Sequence, residues 1–409
     1  MSKTIPTVVI TKMEPRWRPF QVFILGLYEL ERLGEIKLKF RCEWLFRLST
    51  MMPDLPHIGG VFNQLAVHTR KESFLMEGYI EKDGIKYTFC IDRNDTPWCL
   101  DGDALRNRDI YFKMQCPISI DEKKGFRLAE NVYIPYCDYK HVDEKIAIRA
   151  HGERLPLPDL GKYKHKVKPI IVGFRCLADG NSYKALKRGY EEYHKNTHIP
   201  AQKKLMCYFG DDEGHLPSVL SGPPDLDYGT DIMSLYPILD HPNHKRGIIS
   251  KIIGKLGKGY DARLIRHHDL KTGKVETHSD LIVPIRDFCE HISQFEYNCN
   301  ISGHKLSVPN RFSESFITGT GIVTDKLAIK WYLPFDEEVV ELDEIGYLPL
   351  DSINWEKVEN EIVSLPPVSK EKITALYEKK WAPIPVARYL VTTVLSSHDT
   401  GTEPVSNPS

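Results

Sequence analysis

Arg311 and Glu314 stand three residues apart in the segment SVPNRFSESFITGTGIVTDKLAIKWYLPF, residues 307–335. Pro309 and Asn310 are suited to start a helix. The guanidinium and the carboxylate then share one face near its N-terminus, while Phe312 and Phe316 share another. Gly319 and Gly321 flank Thr320 and permit a tight turn into the apolar run Ile322-Val323. In an α/β sheet, ligands gather where strands end and helices begin, because free backbone N–H groups there face an anion. A cation beside a carboxylate at such a place suits a sugar nucleotide. The diphosphate takes the N–H groups and Arg311, and the ribose diol takes the Glu314 carboxylate. An Arg–Glu pair on a solvated helix face has the same spacing, and spacing alone leaves both readings open.

Asp92 and Asp95 follow an alternating apolar run and lie in a turn that Pro97 ends. A carboxylate so placed can take a proton from an attacking hydroxyl, or simply satisfy local backbone N–H groups. Lys113, closing DIYFK, is placed to orient an acceptor, to pair with these carboxylates, or to lie on the surface. Lys245 and Arg246, in HKRG at the start of a helical pattern, can meet phosphate or form a solvated basic turn. Trp331-Tyr332 offers either a stacking surface or a core contact. His267 and His268 are adjacent and so point apart on a strand; His241 and His244 have no third ligand at a suitable spacing, which argues against zinc. GKLGKG, residues 254–259, lacks the closing G-K-[ST] of a P-loop and reads as a helix end and turn. Neither G-x-S-x-G nor G-x-G-x-x-G occurs, which disfavours a serine hydrolase and a standard dinucleotide enzyme.

The elements that must position these residues alternate between β-rich and helical patterns. Strands are expected at Thr7–Ile10, Ile36–Phe40, Lys86–Ile91, Asp109–Phe112 and Asn131–Pro135, with a helix over Pro19–Leu33 that Gly34 stops. A charged, proline-punctuated stretch up to Pro169 reads as a connection, with the boundary near 165. The alternation then resumes. Strands are expected at Ile170–Phe174, Leu205–Phe209, Ala262–Ile265, Tyr297–Ile301 and Gly321–Thr324. Helices are expected at Tyr183–His194, Lys245–Leu256, Val283–Ser293 and Arg311–Thr318, and residues 210–243 read as a surface excursion. The expected organisation is an α/β domain over 1–165, a second over 166–385, and an apolar segment with a disordered tail over 386–409.

The chain has 409 residues, enough for two domains each with its own core. With 55 Lys plus Arg against 56 Asp plus Glu there is no basic excess, so nucleic acid is not an expected partner. Nine cysteines without a C-x-x-C spacing point to reduced structural thiols. No signal-peptide core opens the sequence, and no run approaches the roughly 18 apolar residues that a transmembrane span needs. A cytoplasmic location is expected, with room for attachment at a membrane surface.

The pattern R-F-S-E-S-F-I-T-G-T-G-I-V-T-D, with NISGHKLS before it, resembles the donor-binding segment of GT-B glycosyltransferases, in particular exostosin-like and capsule-associated ones. HPNHKRGIISKIIGKLGKGYDARLI, residues 241–265, resembles the start of the nucleotide side of their donor domain. FCIDRNDTPWCLDGDALRNRDIYFKMQCP, residues 89–117, resembles their acceptor-domain turn and strand. The resemblance implies two Rossmann-like α/β domains facing across a cleft and transfer of a sugar from a nucleotide-sugar donor, a UDP- or GDP-sugar, to a glycan, glycoprotein or glycolipid. It implies that Glu314 holds the ribose, that Arg311 and Arg246 meet the diphosphate with Lys245, Thr318 and Gly319 beside them, and that Asp95 or Asp92 is the base, with Lys113 on the acceptor side. The second glutamate of the commonest retaining pattern falls on Ile322, so inversion is expected, with no obligatory metal. A non-catalytic carbohydrate- or nucleotide-binding protein of the same fold is the alternative.

Overall fold

A computed structural model describes residues 4–13, 18–42, 74–129, 132–134, 136–139, 154–157, 159–178, 180–195, 199–211, 245–266, 285–302, 307–342 and 353–397. Strand β1 (Thr7–Lys12) runs through helix α1 (Gln21–Arg32) to the parallel strand β2 (Lys37–Phe40). Gly34, at φ 72°, lets the chain turn out of the helix. Strands β3 (Leu75–Lys82) and β4 (Ile85–Asp92) form a hairpin whose two turn residues, Asp83 and Gly84, take φ 53° and 81°. Two successive positive φ values match the right-handed twist of the flanking strands. Helix α2 (Gly102–Asn107) leads to β5 (Ile110–Lys113), and β6 (Val167–Pro169) closes the sheet in the order β6-β5-β4-β3-β1-β2. Only β3 runs against its neighbours. The first sheet therefore extends to residue 169. The segment Ile170–Phe174, where a strand is expected, directly follows β6 and continues as buried chain outside the strands, its first N–H still donating to the Lys113 carbonyl at 3.2 Å.

Helix α3 (Tyr183–His194) starts where Ser182 Oγ accepts the Ala185 N–H, the usual remedy for an unpaired donor in a first turn. The second sheet follows: β7 (Lys203–Asp211), helix α4 over residues 245–255, β8 (Tyr260–Arg266), α5 (Ile285–Ile292), β9 (Phe295–Cys299), α6 (Arg311–Ile317), β10 (Gly321–Thr324) and β11 (Val339–Glu341). All five strands are parallel, in the order β8-β7-β9-β10-β11. β8 and β9 flank β7 on opposite sides, and the helices divide between the two faces. Ile249 and Ile253 of α4 pack on Leu205, Cys207, Tyr297 and Cys299, joined by Val358 and Ile362 of α7 (Trp355–Val363). Met206, Tyr208 and Phe295 meet Ile292 of α5 on the opposite face. There the Asn298 amide donates to Ser315 Oγ of α6 at 3.0 Å. The result is a doubly wound α/β sheet.

Helix α8 (Lys370–Lys380) packs on α6, and α9 (Pro383–Ser396) returns to the first sheet. Val386, Leu390 and Val394 of α9 are buried there, and Gly26 of α1 leaves no room for a Cβ beside the Pro383 carbonyl and Ala387. The apolar segment from 386 thus has a partner, which its own sequence could not name. Trp381, fully buried, sits at the crossing among Trp331, Tyr332 and Phe335. Trp331 belongs to this core, and Tyr332 stacks on Tyr389 at 4.1 Å, so neither ring is a free stacking platform. The two sheets are also tied by Gln115, which donates to the Val308 carbonyl at 2.7 Å and accepts its N–H at 3.0 Å.

Candidate functional site

The order β8-β7-β9 creates a switch point between the carboxyl ends of β7 and β9, with α4, the helix after β7, on one face and α6, the helix after β9, on the other, the crevice where open α/β sheets take ligands. Two arginines span it in opposite senses. Arg311, which follows β9, donates through Nη1 to the Tyr208 carbonyl of β7 at 2.7 Å and lies over the Phe288 ring, 5.1 Å from its centroid. Arg246, which follows β7, donates through Nη2 to the Ile301 carbonyl just beyond β9 at 2.9 Å. Cys207, between them, has its thiol pKa raised by burial, while both guanidinium charges work against the rise. Tyr208 is itself held in place. Its hydroxyl donates to Asp261 Oδ2 at 2.6 Å and lies 2.5 Å from His291 Nε2.

Polar groups line the same edge. Lys245 is 2% exposed; burial lowers its pKa, against the attraction of Asp325. Asp325 Oδ1 accepts the Ser302 N–H at 2.8 Å and the Ser302 hydroxyl at 2.9 Å. Asn300, beside Ser302 at the end of β9, is buried. Asn300, Ser302 and Asp325 escaped the sequence reading, and the only signal available was a polar residue directly after an apolar strand.

Thr318 and Gly319 lie at the other end of α6, roughly 10 Å from Arg311 for a seven-residue helix. The Thr318 hydroxyl donates to the Ser315 carbonyl at 2.8 Å, and Gly319 takes φ 76° where a Cβ would strike Lys370. They form the helix-to-strand turn, at the amino end of β10 and away from the crevice. Glu314 is buried, and its Oε1 accepts from Asn310 Nδ2 at 3.1 Å. Burial raises its pKa to about 7, with the Arg311 charge opposing the rise. A carboxyl titrating above its unfolded value destabilises the fold once ionised. Stability is therefore expected to fall as pH rises from about 4.5 to about 7, by on the order of 3 kcal/mol, and Glu314→Gln should flatten that slope. Urea unfolding at several pH values measures it; an unchanged slope in the variant would clear Glu314 of the effect.

At the carboxyl edge of the first sheet, Asp92 is fully engaged. Oδ1 accepts the Asn94 N–H at 2.7 Å, and Oδ2 accepts the Tyr111 hydroxyl at 2.6 Å and Lys113 Nζ at 2.7 Å. Lys113 also donates to the Asn94 carbonyl at 3.0 Å, and its side chain is wholly buried. It pairs with Asp92, one of the options its sequence position left open, and is not on the surface. Asp95, three residues on, is exposed. Asp101 caps α2 by accepting the Ala104 N–H at 2.8 Å, and Asp103 pairs with Arg106 at 3.0 Å. Among the described residues no His, Cys, Asp and Glu side chains form a group of three that could hold a metal ion. His241, His244, His267, His268 and most of the excursion over 210–243 lie outside the described residues. Among the described residues, no helix is long and apolar enough to cross a membrane.

No family model matches the chain, and no curated protein sequence does. Among solved structures it is similar to WaaG, a glycosyltransferase involved in lipopolysaccharide biosynthesis, at 10% identity and a TM-score of 0.27, over 94% of this chain and 98% of that one. It is also similar to the pneumococcal O-GlcNAc transferase GtfA in complex with UDP and GlcNAc, at 9% identity and a TM-score of 0.28, over 93% of this chain and 96% of that one.

Proposed function

We propose that the chain is a glycosyltransferase that takes a nucleotide-sugar donor in the crevice of the second sheet and an acceptor hydroxyl from the side of the first, with inversion at the anomeric carbon. The observation that carries this reading is the pair of arginines spanning the switch point, Arg311 onto the Tyr208 carbonyl and Arg246 onto the Ile301 carbonyl. Their charges converge where an open parallel sheet receives ligands, and a diphosphate is the group that suits two guanidinium ions. The resemblance of residues 307–335 to a donor-binding segment supports the same assignment.

In the reaction a carboxylate takes the acceptor proton as the hydroxyl oxygen bonds to the anomeric carbon. The bond from that carbon to the diphosphate breaks, and its electron pair leaves on the diphosphate. The arginines stabilise the charge that develops there, and Lys245 adds to the positive field. Thr318 and Gly319 shape the turn behind the donor helix. Glu314, buried as it stands, reaches a ribose only by turning outward, and otherwise sets the field around Arg311.

Thermal-shift measurements against UDP-, GDP-, CMP- and dTDP-sugars test the reading: stabilisation by one nucleotide class is expected, and none from any of them would sink it. Arg311→Ala is expected to weaken nucleoside diphosphate binding by about 1.5–3 kcal/mol and that of the free nucleoside far less. Equal losses for both in calorimetry would take Arg311 off the diphosphate. One observation favours a binding protein without turnover: of the two carboxylates proposed as base, Asp92 is locked into an internal ion pair. A transfer assay with the nucleotide sugar that binds separates the two readings.

A further inference from the structure

The residue that follows β9 is the least explained polar group at this edge. Asn300 is 5% exposed, and its Nδ2 is buried with no hydrogen-bond partner. A buried carboxamide left unpaired is costly, and such a group in a native structure calls for a reason. Its backbone is fixed, since its N–H donates to the Val323 carbonyl at 2.7 Å. Alternation along the strand puts its side chain on the face that Asn298 marks by its bond to Ser315 of α6. Asn300 is one step further along β9, level with the start of α6, where Arg311 reaches across to Tyr208. The next residue, Ile301, offers the carbonyl that Arg246 holds. The unpaired donor thus belongs to the residue beside the one that Arg246 anchors, on the sheet face that α6, which Arg311 opens, covers.

We infer that Asn300 is a ligand-binding residue whose Nδ2 donates to a diphosphate oxygen of the nucleotide held in this crevice, a step that rests on the nucleotide-sugar reading above. A neutral donor adds a directed bond without further positive charge, and it gives the buried amide the partner that the free protein lacks.

Calorimetry of the full chain with UDP, GDP and inorganic pyrophosphate tests this in the wild type, Asn300→Ala and Asn300→Asp. The expected result is that Asn300→Ala loses about ten- to a hundredfold in affinity for whichever nucleotide binds and for pyrophosphate alike. Asn300→Asp, which sets a negative charge against the anion, should lose at least as much. The melting temperature of Asn300→Ala should be unchanged or higher, because the substitution removes an unsatisfied donor. If the wild type binds and both variants stay within twofold of it, the assignment of Asn300 is overturned and the nucleotide-sugar reading stands. Loss for the nucleotide without loss for pyrophosphate overturns the diphosphate contact. A wild type that binds none of the three probes overturns the nucleotide-sugar reading itself, and this inference with it.

Discussion

Lys113→Met is expected to cost about 3–5 kcal/mol of stability, the usual penalty for removing one partner of a buried ion pair. The pair is unusually enclosed: the side chains of Lys113 and Asp92 are 0% and 3% exposed, with Nζ 2.7 Å from Oδ2. Methionine keeps most of the volume of lysine but leaves the carboxylate in a desolvated place with only the Tyr111 hydroxyl and the Asn94 N–H as donors. A double variant, Lys113→Met with Asp92→Asn, removes both charges and should recover part of the loss. Urea unfolding of the three proteins measures it, and a Lys113→Met loss below about 1 kcal/mol would mean that water or a rearrangement relieves the buried charge. Nucleotide binding by the folded fraction should be unaffected, because the pair lies at the edge of the first sheet and the crevice in the second.

The role of that pair bears on how much of the molecule was legible beforehand. Asp92 and Lys113 were both visible as chemistry-bearing residues at the ends of two apolar runs. The runs are adjacent parallel strands, with Asp92 opposite Lys113 in register, and that registration turns two candidate site residues into one structural bond. Local pattern names residue types but not cross-strand partners. The same limit explains α9. Its apolar run was plain, whereas its docking on α1 depends on Gly26 and Ala387 meeting across more than 350 residues of chain. The hairpin turn at Asp83-Gly84 carried a local signal, an Asp-Gly pair before an alternating strand. The preceding strand β3, LMEGYIEK, lacks clean alternation, so the pair alone does not establish the hairpin. Helix α3 and strand β10 came out with their bounds as expected, since Ser182 caps the first and Gly321 opens the second. Arg311 and Arg246 stand at helix starts, a local feature of sequence, whereas their reach to the Tyr208 and Ile301 carbonyls depends on the strand order. The resemblance sets Thr318 and Gly319 beside the arginines, and the rise along α6 puts them about 10 Å from Arg311.

Asp95→Asn is expected to lower kcat by about 10²- to 10⁴-fold, the usual loss when a general base is removed, with donor affinity nearly unchanged. The two carboxylates differ in occupancy. Both oxygens of Asp92 accept from neighbours, Oδ1 from the Asn94 N–H and Oδ2 from Tyr111 and Lys113, so it cannot take a proton without breaking a buried bond. Asp95 follows in the same turn, which the Asn94 side chain fixes by accepting the Thr96 N–H at 2.9 Å, and it is exposed. A base must meet an acceptor hydroxyl within hydrogen-bond reach, and an exposed carboxylate on a held turn meets that requirement where an enclosed one does not. Asp92→Asn should accordingly act through the ion pair, lowering the unfolding midpoint while folded protein keeps most of the proposed transfer activity. Steady-state kinetics of the two variants, normalised to folded protein, separates these effects. Full turnover in Asp95→Asn would move the base to another carboxylate, and a product of retained anomeric configuration would remove the need for this base and take the inverting mechanism with it.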